Sequence, residues 1–184
     1  MRTLLLCGGL ILSFAASGAG AEEAGDPRYT SSGALILPAD YREWVFLSSG
    51  LGMVYGPAAE GASAANPSFD NVFVTRAAYQ AFRKTGRWPE RTMFILEVRS
   101  SQSEGSINRG GHFQADVKGI EGEVKDGGKW TFYSFGRDGS EGKPFERTAS
   151  CYTCHGQNGA VDNTFVQFYP TLLPIAREKG TLKK

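Results

Sequence analysis

Cysteine and histidine are scarce in this chain, with three Cys and two His in 184 residues. Cys7 lies within the first residues, so the remainder offers Cys151, Cys154, His112 and His155. A zinc site wants four ligands, and nothing beyond these four residues is there to supply them. Net charge is lacking too. There are 20 basic and 19 acidic side chains, and loss of residues 1–21 would remove one Arg and no acid. A body of zero formal charge gives no bulk electrostatic reason to bind nucleic acid or an anionic membrane. Long apolar runs are missing beyond residues 4–16, which are shorter than the ~20 residues that a membrane-spanning helix needs. Neither a nucleic-acid nor a membrane partner is expected. No internal repeat and no charge block is present.

That short apolar run has the form of an export signal. Arg2 supplies the positive start, and Ala19-Gly20-Ala21 offers a small-residue cleavage site before Glu22. Cys7 sits inside the signal, is wrongly flanked for a lipoprotein site, and leaves with it. Residues 1–21 are therefore expected to be a signal peptide and residues 22–34 a flexible leader rich in Gly, Ala, Glu and Ser. Residues 35–184 are long enough for one domain with its own core. The expected location is the periplasm.

The cysteines that remain stand in Cys151-Tyr152-Thr153-Cys154-His155. C-x-x-C-H is the attachment sequence of a c-type haem. Each thiol adds to a haem vinyl group, and the following histidine reaches the iron as proximal ligand. A redox C-x-x-C pair needs no histidine directly after it. One covalent haem c is the expected cofactor, held by Cys151 and Cys154 with His155 as the metal ligand. Only 29 residues follow His155, and none is Met or His. A sixth protein ligand would have to be Met53, Met93 or His112. Met93 opens an apolar run where a core role is commoner, and most lone histidines bind no metal. The expectation is five-coordinate iron with an open face, suited to binding a small molecule.

Elsewhere the chain reads as strands. Trp44 to Leu47, Val72 to Val74, Met93 to Val98 and Trp130 to Phe135 are short runs of β-branched and aromatic residues. The last follows a Lys125-Asp126-Gly127-Gly128 turn signal. One helix is predicted over residues 76–84, capped by Thr75 and stopped by Gly86. Another is predicted over 171–179, with Pro170 and Pro174 blurring its start. Residues 48–68 and 100–111 read as loops. The fold class is mainly β (α+β), an antiparallel sheet with a few helices and the haem near the C-terminus. Four long amphipathic helices are missing, which excludes a helical-bundle cytochrome.

Tyr41-Arg42-Glu43-Trp44-Val45, the strand Val72-Phe73-Val74 leading to Ala78-Tyr79, Gly119-Ile120-Glu121, and Cys151 to His155 followed by Phe165-Val166-Gln167-Phe168-Tyr169-Pro170 resemble the cytochrome P460 family over roughly residues 35–175. The resemblance implies a mainly β fold, a homodimer and five-coordinate haem c. It implies one of two activities: hydroxylamine oxidation by members whose haem is cross-linked to a lysine, or nitric oxide binding by beta-type cytochromes c-prime, which lack that link. The lysine of the first group stands just before a glutamate. Here Leu96 precedes Glu97, and no lysine lies between Lys84 and Lys118.

Strand alternation puts Phe94, Leu96 and Val98 on one face, the face that would meet the haem. Such an apolar wall favours neutral gases, nitric oxide or carbon monoxide. Glu121 pulls the other way, since it matches the carboxylate that the family's enzymes are implied to use on hydroxylamine, where it would act as a general base. A solvated glutamate is the plain alternative. Phe46 and Phe73, with Phe94, are candidate caps over the iron, although core packing suits phenylalanines as well. Arg42 and Arg147 could pair with haem propionates or form surface ion pairs. The leading expectation is a gas-binding haem c protein. A hydroxylamine-oxidising enzyme, and an electron-transfer cytochrome with its own redox partner, are the alternatives.

Overall fold

The structure, a computed structural model, describes residues 25–54 and 66–184. The signal segment with Cys7, the start of the leader and the centre of the 48–68 connection lie outside the described residues.

Seven antiparallel strands form one sheet: β1 (Leu35–Ile36), β2 (Val45–Leu51), β3 (Phe69–Val74), β4 (Met93–Gln102), β5 (Phe113–Asp126), β6 (Lys129–Gly136) and β7 (Glu141–Pro144). Their order is β1-β7-β6-β5-β4-β3-β2. Chain neighbours pair from β2 to β7, and β1 joins at the far edge through Leu35 opposite Gly142. The mainly β, antiparallel expectation holds. The turn signal between β5 and β6 is a two-residue hairpin, with Gly127 and Gly128 at φ +55° and +73°, the backbone that such a turn demands.

Three differences from the sequence reading have physical causes. β2 runs on through Ser48-Ser49-Gly50-Leu51, which were expected to be loop. These small residues carry no strand signal, yet the ladder to β3 holds them. A Cβ on Gly50 would lie 2.5 Å from the Met53 sulfur, so glycine is what lets Met53 pack there. β4 likewise continues to Gln102, into the second expected loop. The longest strand, β5, was not among the predicted apolar runs. Its alternation shifts register at Gly119 and is diluted by glycines and charged residues, with Ile120 and Val124 buried on one face and Glu121 and Glu123 on the other.

The first predicted helix is present as α1 (Arg76–Thr85). Thr75 accepts a hydrogen bond from the Ala78 amide at 3.4 Å, and Gly86 ends the helix at φ +73°. The cysteine motif forms an unanticipated helix, α2 (Ser150–Asn158). The last, α3 (Leu173–Glu178), is shorter than predicted, with Pro174 in its first turn.

Alternation along the strands builds a core on each side of the sheet. Phe94 packs with Leu47, Val74, Phe82, Trp88, Trp130 and Leu172 beneath α1 and α3. Met93 and Ile95 pack on the other side with Leu35, Tyr41, Val124 and Phe135. Burial on both faces explains the continuous apolar run of Met93-Phe94-Ile95.

Glu97 is 2 % exposed and belongs to that second side. It accepts from Tyr41 Oη, from Arg42 Nε at 2.9 Å and from Arg99 Nε at 2.6 Å. Arg42 is thus engaged on the side of the sheet away from Leu96. Burial alone would raise the Glu97 pKa, but the hydrogen bonds from Arg99, Tyr41 and Arg42 outweigh it and hold the carboxyl below its ordinary value. A depressed folded pKa contributes stability that is full above the unfolded value and lost as pH falls through the folded one. Glu97→Gln is expected to cost about 3 kcal/mol at pH 7, the low end for breaking a buried pair because Arg42 is half exposed. Its deficit against wild type should shrink in acid. Urea unfolding at pH 7 and pH 3 measures both.

Candidate functional site

The helical form of α2 puts Cys151, Cys154 and His155 together. Positions i, i+3 and i+4 share one face of a helix, and all three side chains line a single cavity of about 390 Å³. Cavities of roughly 300–1,000 Å³ are the usual size for cofactor and ligand sites. The sheet supplies the facing wall with Val72, Phe94, Leu96 and Phe132, and the C-terminal segment adds Phe165 and Phe168. Three carboxylates, Asp70, Glu121 and Glu123, complete it.

Both thiols are free. Burial raises the pKa of Cys151, two backbone hydrogen bonds lower it, and the carboxylates of Glu121 and Glu123 raise it again, for a net increase. An activated redox thiol needs the opposite shift. The Cys151 thiol is therefore not set up for thiolate chemistry.

His155 Nδ1 lies 3.0 Å from the carbonyl of Asn163. A carbonyl only accepts, so Nδ1 carries the proton and Nε2 keeps its lone pair, the state of a metal ligand. Burial lowers the imidazole pKa and the Asn163 contact raises it, leaving it below its ordinary value and the ring neutral. Phe132 and Phe165 flank the ring at centroid distances of 4.5 and 4.4 Å.

The carboxylates are shifted the other way. Burial raises Glu121, and Asp70 adds to the shift. Asp70 is itself raised by burial, with Lys118 opposing. Glu123 is pushed up to about 8 by burial and then by Glu121. Its Oε2 lies 3.6 Å from His155 Nδ1 and has no hydrogen-bond partner among the described residues.

Two thiols and a neutral imidazole on one helical face, opening onto an apolar cavity with aromatic walls, fit a haem held through its edge and its iron. The profile of the cytochrome P460 family matches residues 38–166, from just ahead of β2 to beyond α2. The chain belongs to the cytochrome P460 family. No curated protein matches it. Membership makes it a haem cytochrome.

Among the residues singled out in the sequence of this cytochrome P460 member, Phe94, Leu96 and Glu121 meet Cys151, Cys154 and His155 around the cavity, whereas Val98 does not line it. Leu96 and Glu121 are direct partners across β4 and β5. Met53 lines the cavity as well. Met93 does not, being buried on the other side of the sheet, and His112 stands half-buried ahead of β5, off the cavity wall. Phe46 and Phe73 are displaced as caps. They pair with each other at 5.7 Å on the opposite side, and Phe46 is 53 % exposed, because alternation sets it opposite Val45 and Leu47, which pack with Phe94. Arg147 donates to the Trp130 carbonyl at 2.8 Å and to Thr131 Oγ1 at 2.9 Å. It stacks on Tyr152 at 4.8 Å, so neither arginine lines the cavity.

Asp70, Glu123, Phe132, Phe165 and Phe168 were missed as wall residues. For Glu123 a signal existed, since on a strand it must share the face of Glu121. Phe165 and Phe168 lie within the segment that carried the family resemblance. For Asp70 and Phe132 the sequence held no such pointer.

Proposed function

We propose that this chain is a haem c protein, with one haem attached through Cys151 and Cys154 and its iron ligated by His155, that binds nitric oxide or a similar neutral gas at the other axial position. The observation that carries this reading is Leu96 on the cavity wall. The resemblance puts a cross-linking lysine at this position, and an aliphatic side chain cannot form that link.

The bound haem would supply an iron with one coordination position left for a small ligand. The protein's own side chains do the rest. His155, neutral and oriented through Nδ1, presents Nε2. Val72, Phe94 and Leu96 form an apolar surface that costs a neutral gas little and disfavours hydrated anions, which must shed water to enter. Glu121, raised above the ordinary carboxylate range, adds negative charge when ionised and so repels anions further. Export to the periplasm is supported by the signal-like N-terminus. A homodimer is supported by the family resemblance and by exposed Phe46 and Leu51 on the edge strand β2.

Glu121 also supports a second reading, oxidation of hydroxylamine. The bound substrate must lose protons, and a carboxylate with a raised pKa that faces the cavity is a competent acceptor.

The first reading is tested by mixing the ferrous protein with nitric oxide or carbon monoxide in a stopped-flow spectrometer. Wild type should bind both gases. Leu96→Ala should bind several-fold faster, since less side-chain volume stands in the path of entry. Failure of the ferrous protein to bind either gas would overturn the reading, and an unchanged rate in Leu96→Ala would remove Leu96 from the entry path.

A further inference from the structure

Just beyond α2 the chain reverses within four residues. Val161 and Thr164 form an antiparallel bridge, closed by the Thr164 amide on the Val161 carbonyl at 2.8 Å. The two residues between them, Asp162 and Asn163, have φ of +48° and +60°. Positive φ at both centres is the type I′ turn. Asp and Asn tolerate it better than other side chains, but two such residues in succession persist only where the surroundings dictate them.

The surroundings do so from three directions. Asp162 Oδ1 accepts from Arg87 at 3.0 Å, and Oδ2 accepts from the Trp88 amide at 3.2 Å, both in the connection between α1 and β4. Lys125 of β5 reaches Oδ2 at 3.3 Å. Trp130 of β6 donates its indole N–H to the Asp162 carbonyl at 2.6 Å. Thr164 Oγ1 accepts from the Trp88 indole at 2.9 Å and donates to the Val161 carbonyl at 2.7 Å.

All this rigidity is delivered at one atom. The Asn163 carbonyl meets His155 Nδ1 at 3.0 Å. Gly159 permits the approach, because a Cβ there would lie 2.4 Å from the Asn163 carbonyl carbon. The Gly159 amide in turn caps the His155 carbonyl at 2.9 Å. A three-way anchor exceeds what a surface reversal requires, and its product is a fixed acceptor behind the imidazole.

We infer that the Asp162–Asn163 turn is a positioning device for His155, with Asp162 as the positioning residue that holds the Asn163 carbonyl against Nδ1 and thereby sets the tautomer, rotation and donor strength of the imidazole toward the iron. This rests on the reading of His155 as haem ligand. A held acceptor on Nδ1–H makes the imidazole a stronger donor, which favours ferric over ferrous iron. Loosening the turn weakens that push. The nearest other acceptor is Glu123 Oε2 at 3.6 Å, and it must be removed to read the effect of the turn alone.

The test uses the full-length haem-loaded protein in a Glu123→Leu background, which leaves no side-chain acceptor there, with Asp162→Ala, Asp162→Asn and Asn163→Gly added singly. Resonance Raman of the ferrous form gives the iron–histidine stretch, and redox titration gives the midpoint potential. Asp162→Ala should lower and broaden the stretch and shift the ferric/ferrous equilibrium about tenfold toward ferrous, which is about +59 mV for one electron. Asp162→Asn should move both in the same direction by less, and it decides the matter if the alanine variant does not fold. Asn163→Gly keeps both the carbonyl and the positive φ, and should match its parent. An unmoved stretch and potential in a folded Asp162 variant would overturn the inference while leaving the haem reading intact. Absence of any iron–histidine band in wild type would instead sink the haem reading itself.

Discussion

Replacing both Cys151 and Cys154 with alanine is expected to abolish covalent haem completely, so that denaturing electrophoresis followed by haem staining shows an unstained band. Each single alanine variant should keep one thioether and stain weakly. The reason lies in α2. Its pitch puts both thiols and His155 on one face, where the two thiols would hold a haem covalently and the imidazole would supply its iron ligand. His155→Ala should leave attachment partly intact but remove the proximal bond, with a changed absorption spectrum as its sign. For wild type the intact mass should equal the processed chain plus one haem, and peptide mapping should find no third bond, because Leu96 stands where a cross-link would form. A wild-type protein without covalent haem would remove the basis of the proposed function. A third bond, to Lys118 for example, would revive the cross-linked enzyme.

Glu121→Gln carries the second large effect, and it separates the two functional readings. Nitric oxide and carbon monoxide carry no proton to be removed, so their binding should change by no more than about twofold. If the protein oxidises hydroxylamine, the same substitution should cost about 10²- to 10⁴-fold in rate, the usual loss on deleting a general base. The wild-type rate should then rise with pH across a range above that of an ordinary carboxylate, since burial and Asp70 hold the Glu121 pKa up and only the ionised form accepts a proton. Rapid hydroxylamine turnover with this pH profile, lost in Glu121→Gln, would place the enzyme reading first. Gas binding without turnover in either protein would retire it.

Local chemistry was legible in the sequence, and shape was only partly so. C-x-x-C-H pointed to a haem, and the family match bears out that cofactor; the motif is legible because two thioethers and one iron bond would need those atoms in that order. Phe94 and Leu96 were legible because alternation leaves no freedom on a strand buried on both sides. Thr75 and Gly86 marked the bounds of α1 through capping alone. β5 escaped because its charged residues, which suggest solvent, face a cavity. The helix around the cysteines escaped because its weakly amphipathic stretch, with Gly156 near its end, carries no periodic signal and holds its place through neighbours such as Phe132 and Phe165. Arg42 shows the same limit from the other side. Its sequence position gave no sign of Glu97, which tertiary pairing brings to it across more than fifty residues.

The strand order has a consequence for how the protein is made. Each strand from β3 to β7 pairs with the one synthesised just before it, so the ladder can zip progressively from its N-terminal side. Contacts between chain neighbours close the shortest loops and form fastest. The part of the wall that the sheet supplies, with Phe94, Phe132 and the three carboxylates, is thus encoded before residue 136, whereas both cysteines and the histidine arrive with α2 and Phe165 and Phe168 later still. Leu35, near the start of the domain, waits for Gly142 to complete the far edge, and Gly142 too precedes α2. Vectorial synthesis would therefore raise the receptacle first and supply the fastener at the end, leaving the two thiols on a tail still free to be reached when the rest of the mould has taken shape.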